Sequence, residues 1–460
     1  WAGQVAELRA LLTPAELNAA SASSLNAHFT SKDVVDFMWQ AAQRLGFNGG
    51  MVLEPSVGVG NFVGLMPREV AGKSFVTGIE LDSLTSRIAA ALYPRANIVN
   101  TGFQDAALPD KAFSLAIGNP PFGSESMRFR HRPELNGFSI HNQFFLGSID
   151  AVAPGGIMMM VVSRHLLDAQ DASTRQLLAQ KAELIGAVRL PGSAFKGNAL
   201  TEVVTDVLFF RRLSEEAEEQ IATAKALLMS KPDPKSAGDS YKRQVATRTL
   251  QDAMAWTGTG KVKDPLGGED MIVGAYFAKH PEMIVGTMDR SGTMRHKGNI
   301  DVKMAKGEAL SDHLARILEK LPQVAPVDIS DEALIRSEEM HKALGESLLL
   351  SASGAEVGSI RFDPDGSLSK VVERIGDGGE SALKKIQVTK DTPWSTSLFM
   401  GLDGKWYRLV PKLKEDGTPY KNGKRNVYIK EVFESESDVP SGMRLGESRL
   451  DRIKALIEIR

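Results

Sequence analysis

Apolar positions in the first half of the chain alternate between helical spacing and short continuous runs. Residues 1–20 predict a short helix, and Lys32–Leu45 predicts a second one behind a cap at Thr30 or Ser31. The short runs are typical of strands that are buried on both faces of a sheet. They are Met51–Leu53, Phe75–Ile79, Ala96–Val99, Leu115–Ile117, Ile157–Val162, Leu184–Arg189 and Val203–Phe210. Further helices are predicted at Asn142–Val152 and Thr174–Lys181. This alternation predicts an α/β fold with one doubly wound, Rossmann-like sheet.

The pattern changes after this region. Ser214–Lys231 predicts a charged helix, and two further helices are predicted at Leu310–Leu321 and Asp331–Leu350. Alternating strands with Asp-Gly hairpin signals then predict a β-rich domain. We therefore predict six segments: an N-terminal helical extension (1–24), the α/β domain (25–212), a charged helix with a linker (213–262), a mixed, mostly helical region (263–350), the β-rich C-terminal domain (351–435) and a terminal helix (436–460).

Composition narrows the class of protein. The chain has 460 residues, of which 42% are hydrophobic and 24% charged, and its net charge is −2, as in ordinary soluble chains of two or three domains. No apolar run reaches the roughly 18 residues of a membrane helix and no signal peptide pattern is present, so we expect no membrane partner. The absence of Cys excludes disulfides and thiolate zinc sites and favours a cytoplasmic location.

Two further observations concern metals and chain length. His141, His165 and His280 show no metal-ligand spacing, so we expect structural roles for them and no metal. The chain begins with Trp1 rather than Met and ends within the predicted helix Leu445–Arg460. We therefore expect it to be a fragment of a longer polypeptide.

A glycine-containing turn follows the first predicted strand. Gly58 and Gly60 lie in this turn, where glycines let the backbone approach a ligand at the carboxyl edge of the sheet. Glu80 ends the next strand, where an acid can accept hydrogen bonds from ribose hydroxyls. The carboxylate of Glu54 opens the turn and would repel a pyrophosphate, but it suits the ammonium of an amino acid. The pattern therefore favours S-adenosyl-L-methionine over a nicotinamide cofactor, and a tight turn without any ligand is the structural alternative.

A second turn follows the strand Leu115–Ile117 and reads Asn119-Pro120-Pro121-Phe122. Two prolines stiffen the backbone and remove two donors, so the Asn119 side-chain oxygen and the Pro120 carbonyl form a pair of acceptors for one amino group. Accepting both protons of an exocyclic amine raises its nucleophilicity toward an electrophilic methyl, and Phe122 can stack on the base. A structural Pro-Pro turn is the alternative. The order of the two turns predicts methyl transfer to a planar amine without a metal.

These motifs resemble the adenine-N6 DNA methyltransferases in which the cofactor motifs precede the catalytic motif. The resemblance covers residues 25–212 and implies a methyltransferase sheet, S-adenosyl-L-methionine as cofactor, DNA as partner and a flipped adenine as substrate. Phe29-Thr30-Ser31 matches the family's aromatic-Thr-Pro segment except for Ser31, and Ser114 replaces an acid that often precedes the catalytic strand. The cofactor residues that we expect are Phe29, Thr30, Glu54, Pro55, Ser56, Gly58, Gly60, Phe62, Glu80, Leu81, Gln104 and Asp105.

The same resemblance suggests further contacts. Phe195 is the candidate for the second aromatic residue that stacks on the flipped base, and an ordinary hydrophobic anchor is its alternative. The segment Ala275-Tyr276-Phe277 with His280–Gly286 is similar to one in large phage- and plasmid-borne methyltransferase–helicase fusion proteins. This likeness implies a bacterial, phage or plasmid origin and a helicase module as a partner within a longer chain.

Two basic segments are candidates for DNA contacts. Arg128, Arg130 and Arg132 closely follow the catalytic turn. The β-rich segment contributes Lys405, Arg408, Lys421, Lys424 and Arg425, interleaved with aromatic residues. In both segments a solvated surface is the alternative.

Other functions remain open from the sequence. Similar Asn-Pro-Pro-aromatic turns occur in methyltransferases that act on guanine N2 of RNA or on protein glutamine, since each substrate presents a planar nitrogen. A catalytically silent DNA-binding module with the same fold is an alternative of another class. Intact Asn119, Glu80 and glycines argue against the silent module. The segment before the glycine turn and the long region after the α/β domain favour DNA as the substrate, so the leading prediction is an adenine-specific DNA methyltransferase.

Overall fold

A computed structural model describes most of the chain from residue 30 to residue 352. Within that span it leaves out residues 124, 130–131, 196–203, 233–237, 293–298 and 327–328. Beyond residue 352 it describes eight strands together with residues 414 and 418. The chain packs as two compact units, residues 1–343 and 344–460. The six-segment division stays a prediction.

The first unit is built around a seven-stranded sheet in the order β3-β2-β1-β4-β5-β7-β6. All neighbouring strands are parallel except β7, which is antiparallel to β5 and β6. The strands are β1 (Gly50–Glu54), β2 (Ser74–Glu80), β3 (Asn97–Asn100), β4 (Phe113–Gly118), β5 (Val152–Ser163), β6 (Ala182–Leu190) and β7 (Thr205–Arg212). The predicted α/β fold is confirmed, and each predicted strand of this sheet overlaps an observed one.

Helices lie before β1 and between several of the strands, as expected for the crossover connections of parallel strands. They are α1 (Lys32–Arg44), α2 (Asn61–Gly64), α3 (Arg68–Ala71), α4 (Ser83–Leu92), α5 (Ile140–Ala151), α6 (His165–Asp168) and α7 (Ser173–Ala179). The buried face of α1 includes Phe37, Met38 and Trp39, and the Trp39 indole N–H donates to the carbonyl of Phe62 at 2.9 Å. This bond ties α1 to the beginning of α2, next to the glycine turn.

The rest of the first unit begins with two helices, α8 (Glu215–Met229) and α9 (Asp239–Met254), which pack on one another. Then follow β8 (Thr259–Val262), β9 (Met271–Gly274), α10 (Ala275–Lys279), β10 (Thr287–Gly292), β11 (Asn299–Lys303), α11 (Leu310–Leu318) and α12 (Asp331–Ala352), which continues into the second unit. The sequence pattern did not predict α4 or α9. Their buried residues are few and small, with only Ala246 buried in α9, so no apolar stripe marks them.

A buried ionic cluster joins this later region to the sheet. Arg189, fully buried near the end of β6, donates to both carboxylate oxygens of Asp206 at 2.8 and 2.9 Å and to Asp168 at 2.7 Å. Its guanidinium also lies 4.4 Å from the ring centre of Phe277 in α10. Burial alone would lower the pKa of Arg189, but the two carboxylates raise it. The charged groups are thus paired, as a dry environment requires.

The described strands of the second unit form antiparallel sheets. The strands are β12 (Ile360–Phe362), β13 (Leu368–Glu373), β14 (Ser381–Ile386), β15 (Leu398–Met400), β16 (Trp406–Pro411), β17 (Lys421–Asn422), β18 (Arg425–Asn426) and β19 (Tyr428–Phe433). Their sheet orders are β12-β13-β14, β15-β16-β19 and β17-β18. These strands agree with the predicted β-rich character of this segment.

Candidate functional site

Two predicted turns meet at the carboxyl edge of the central sheet. Strand β1 pairs with β2 on one side and with β4 on the other, so Glu54 and Glu80 end two neighbouring parallel strands and the Asn119 turn follows the third. Ser56 in the glycine turn donates through Oγ to the Asn119 carbonyl oxygen at 3.3 Å. The two turns that the sequence singles out are therefore in direct contact. This edge is where ligands bind in open α/β sheets.

Glu80 holds the glycine turn in place. Its carboxylate accepts hydrogen bonds from the backbone N–H of Gly58 at 2.8 Å and from the N–H of Asp82 at 2.8 Å. Burial raises the pKa of Glu80, and these two donors oppose the rise. Since each carboxylate oxygen has more than one lone pair, Glu80 retains acceptor capacity for hydroxyl groups above the sheet edge.

Glu54 is buried at the start of the same turn, with only 3% of its surface exposed. Within the described part of the chain its Oε2 atom has no hydrogen-bond partner. Burial, with a smaller contribution from the charge of Glu80, raises the pKa of Glu54 well above its ordinary value. An unpaired buried carboxyl group costs stability, and a cationic ligand would relieve that cost. The site therefore fits the ammonium group of S-adenosyl-L-methionine.

Tyr93, which follows α4, packs against the other side of the turn. Gly60 has φ +86° and caps α2, and a Cβ atom at this position would lie 2.3 Å from Cε2 of the Tyr93 ring. A Cβ atom on Gly64 would lie 2.3 Å from the Tyr93 hydroxyl oxygen. Burial and the nearby charge of Glu54 raise the pKa of Tyr93. The glycines here leave room for an aromatic ring, a contact that the sequence pattern does not reveal.

The Asn-Pro-Pro-Phe turn leaves β4 with its middle in the protein interior. Pro120 is buried, while Asn119, Pro121 and Phe122 are half-buried. The Oδ1 atom of Asn119 is shielded from solvent. The catalytic turn thus lies close to the glycine turn and is partly exposed to solvent, so a planar group could bind against it.

The residues expected around the cofactor adenine have mixed environments. Leu81 is 73% exposed directly after Glu80. Gln104 donates through Nε2 to Asp105 at 2.9 Å, and both residues are half-buried. Phe103 beside them is buried and stacks on Phe144 at 4.5 Å between ring centres. These polar groups remain candidates for an adenine contact.

The other predicted cofactor and base-stacking residues lie in the core or outside the described residues. Thr30 is buried just before α1, and Pro55 is buried at the start of the glycine turn. Phe62 is buried in α2, and Phe195 is 4% exposed in the 3-10 helix Gly192–Phe195. Phe29 lies outside the described residues. Phe195 would therefore have to turn outward before it could stack on a base.

The predicted DNA-contacting arginines differ in their surroundings. Arg128 is exposed, whereas Arg132 forms ion pairs with Asp150 and, at 3.0 Å, with Glu134. Asp150 also pairs with Lys181 at 2.6 Å and contacts the Arg212 guanidinium at 3.3 Å. Arg132 thus has a structural role that its sequence context did not predict.

The remaining basic residues are less well defined. Arg130, Lys405 and Lys424 lie outside the described residues. Arg408, Lys421 and Arg425 belong to strands β16, β17 and β18, in that order. The DNA contacts in this segment stay predictions.

His141 is a second residue that the sequence did not connect with the site. It lies in the first turn of α5, and its Nδ1 atom is 3.1 Å from the carbonyl oxygen of Gly123. Burial lowers the pKa of His141, against the effect of this hydrogen bond. The sequence signal for this contact is the position of His141 at the start of the helix that follows the catalytic turn.

Parts of the chain are similar to known proteins. No family model matches the chain. It is 30% identical over 202 residues to Defense against restriction protein B of Escherichia phage P1, which is 43% of this chain and 9% of that protein. It is 32% identical over 108 residues to the type II methyltransferase M.CvrRI of Paramecium bursaria Chlorella virus XZ-6E, which is 23% of this chain and 27% of that enzyme. The chain therefore spans less than a third of either relative.

Among solved structures, a modification subunit of a putative type I restriction enzyme from Vibrio vulnificus YJ016 is similar. It covers 40% of this chain and 44% of its own, with a TM-score of 0.34 and 22% identity. The mostly parallel seven-stranded sheet with flanking helices is a Rossmann-like fold. In the described residues there is no cluster of metal-ligating side chains and no helix long and apolar enough to cross a membrane.

Proposed function

We propose that this chain transfers a methyl group from S-adenosyl-L-methionine to the exocyclic amino group of adenine in DNA. The observation that carries the proposal is the contact between two turns at one sheet edge. A buried carboxyl group with an unpartnered oxygen (within the described residues), Glu54, lies in one turn, and Asn119 begins the other. The first turn suits a cation with an amino-acid group, and the second presents acceptors to an amine.

On this proposal the cofactor would be held by two acids, by the open backbone of a glycine and by side chains around its adenine. Glu54 would bind its ammonium, and Glu80 would accept hydrogen bonds from its ribose hydroxyls. Gly58 leaves open space above its backbone, since a Cβ atom there would meet nothing within 4 Å. Leu81 would cover one face of the cofactor's adenine, with Gln104 and Asp105 near its edge. When bound, the cofactor would supply an electrophilic methyl group on a sulfonium.

The catalytic turn would act on the substrate amine. The side-chain oxygen of Asn119 and the carbonyl of Pro120 would accept its two protons, which draws the nitrogen lone pair out of the ring. The two prolines would keep both oxygens in fixed positions, so little reorganisation is needed as charge develops on nitrogen. Phe122 would hold the plane of the base by stacking. The single amine proton that is lost would pass to water at the turn surface.

With DNA as the substrate, the adenine must leave the double helix, because its amino group cannot reach this edge while the base is paired. The exposed Arg128 follows the catalytic turn, where a phosphate contact would steady the opened strand. The local likeness to a phage anti-restriction protein and to a viral type II methyltransferase supports the same substrate class. The helicase partner implied by the family resemblance stays a prediction.

The test uses the full chain with tritium-labelled cofactor and three substrates: DNA, RNA and a glutamine-containing peptide. After digestion, we expect the label on N6-methyladenine from DNA. Label on guanine of RNA or on glutamine would refute the DNA assignment but retain the enzyme class. Asn119→Ala should lower the transfer rate by about 100-fold or more while the cofactor Kd changes little. An unchanged rate in this variant would refute the catalytic role of Asn119.

A further inference from the structure

The segment behind the catalytic turn is fastened to the first turns of α5. The backbone N–H of Ile140 donates to the Glu125 carbonyl at 2.6 Å. The Gln143 side chain accepts from the Met127 N–H at 2.7 Å and donates to the Met127 carbonyl at 2.8 Å. Gln143 is fully buried, so these bonds are protected from competing water. Helix α5 therefore fixes the position of the backbone at Glu125 and Met127, just after the catalytic turn.

Compared with these hydrogen bonds between α5 and the segment after the catalytic turn, the one made by His141 lies nearer to Phe122. Its Nδ1 atom is 3.1 Å from the carbonyl oxygen of Gly123, the residue directly after Phe122. A carbonyl oxygen can only accept, so Nδ1 must carry the proton in this bond. The Ser139 hydroxyl oxygen lies 3.4 Å from Nδ1 and 3.5 Å from Nε2. The positively charged ring would keep the same donor at Nδ1, so this bond survives in both protonation states.

This hydrogen bond holds the turn at Gly123, where the backbone has the most conformational freedom. Pro120 and Pro121 have restricted φ angles, whereas Gly123 is the most permissive residue of the turn. Without an external contact, rotation at Gly123 would move the peptide that adjoins Phe122. A hydrogen bond to the Gly123 carbonyl holds the following peptide group and so limits this rotation. Displacements of about 1 Å at a reacting centre can lower a rate by about 100-fold.

We propose that His141 is a positioning residue for methyl transfer. By holding the Gly123 carbonyl, it keeps Phe122 and the acceptors of the Asn119 turn in register with the target base. This role rests on the proposed function, because it assumes that the Asn119 turn is catalytic. His141 touches neither the cofactor nor the reacting atoms, and it acts through the backbone of the turn.

The experiment compares two variants of the full chain. His141→Asn retains a donor, since Asn Nδ2 occupies about the position of His Nδ1, whereas His141→Leu fills a similar space without a donor. Three quantities are measured for each: the single-turnover methylation rate, the cofactor Kd, and hydrogen–deuterium exchange of the peptide that covers residues 119–127. His165→Leu, a change at an exposed histidine outside this contact, is the control.

We expect His141→Leu to lower the transfer rate by about 10- to 100-fold with the cofactor Kd unchanged within about 2-fold. Exchange in residues 119–127 should rise, and His141→Asn should restore both rate and protection. Equal rates in all variants would overturn the proposal, and so would a parallel loss of rate and cofactor affinity that Asn does not restore. If the wild-type chain methylates none of the substrates, the proposed function fails by itself. Unchanged exchange in His141→Leu would then still reject the positioning role.

Discussion

Replacing the buried carboxyl group of the glycine turn, Glu54→Gln, tests the cofactor assignment directly. The change keeps size and shape but removes the negative charge that would face the cofactor ammonium. Hydrogen bonds between charged groups contribute about 1.5–3 kcal/mol to binding. Because about 1.4 kcal/mol corresponds to a factor of ten, the cofactor Kd should rise by about 10- to 150-fold. Isothermal titration calorimetry with the full chain measures this change.

The raised pKa of Glu54 also predicts that cofactor binding is coupled to the release of a proton. Burial raises the pKa of Glu54 well above its ordinary value of 4.5, so the free protein holds a proton there over a pH window in which the unfolded chain has released it. A bound ammonium stabilises the carboxylate and lowers this pKa. Cofactor binding within that window should therefore release up to one proton per site. Calorimetry in two buffers of different ionisation enthalpy counts the protons.

The stability of the free protein should also depend on the protonation of Glu54. For a carboxyl group with a raised folded-state pKa, the unfolding free energy is highest below the unfolded-state pKa and falls as the pH rises through the folded-state pKa. The Glu54→Gln variant lacks this titration, so its melting temperature should fall less over the same window. Glu69→Gln, at an exposed glutamate of α3, is the matched control. Equal cofactor affinity and equal proton release in Glu54→Gln and wild type would refute the assignment.

Two further changes test contacts of the same unit. Gly64→Ala should lower the unfolding free energy by about 1–3 kcal/mol, because the new methyl group overlaps the Tyr93 hydroxyl. Tyr93→Phe in that background should restore most of the loss, since the nearest remaining ring carbon is 3.2 Å away. Thermal melts of the wild type, both single variants and the double variant measure this, and additive losses would disprove the contact. Arg132→Ala should lower the melting temperature, because it removes an ion-pair partner of the buried Asp150. Arg128→Ala should leave the melting temperature unchanged and reduce, by about one, the slope of the logarithm of the DNA-binding constant against the logarithm of the salt concentration. The opposite pattern would reassign the two arginines.

Local pattern was sufficient for the strands of the seven-stranded sheet and for the residues at their ends. The segment Met51–Leu53 is apolar and ends at an acid before a glycine turn, and Leu115–Ile117 ends at the Asn119 turn, so both sites could be located without a structure. Strand formation and turn chemistry depend mainly on residues that are close in sequence. Helices α4 and α9 were not predicted because their buried faces are narrow and consist of small residues.

Contacts between distant residues could not be obtained in this way. The sequence placed acids at two strand ends, but only the sheet order, with β1 between β2 and β4, brings Glu54, Glu80 and Asn119 together. The ring of Tyr93 on the glycine turn depends equally on how the chain folds back. The pattern of apolar residues determines which segments are buried, whereas strand order and side-chain partners are set by long-range packing, which no local window of sequence contains.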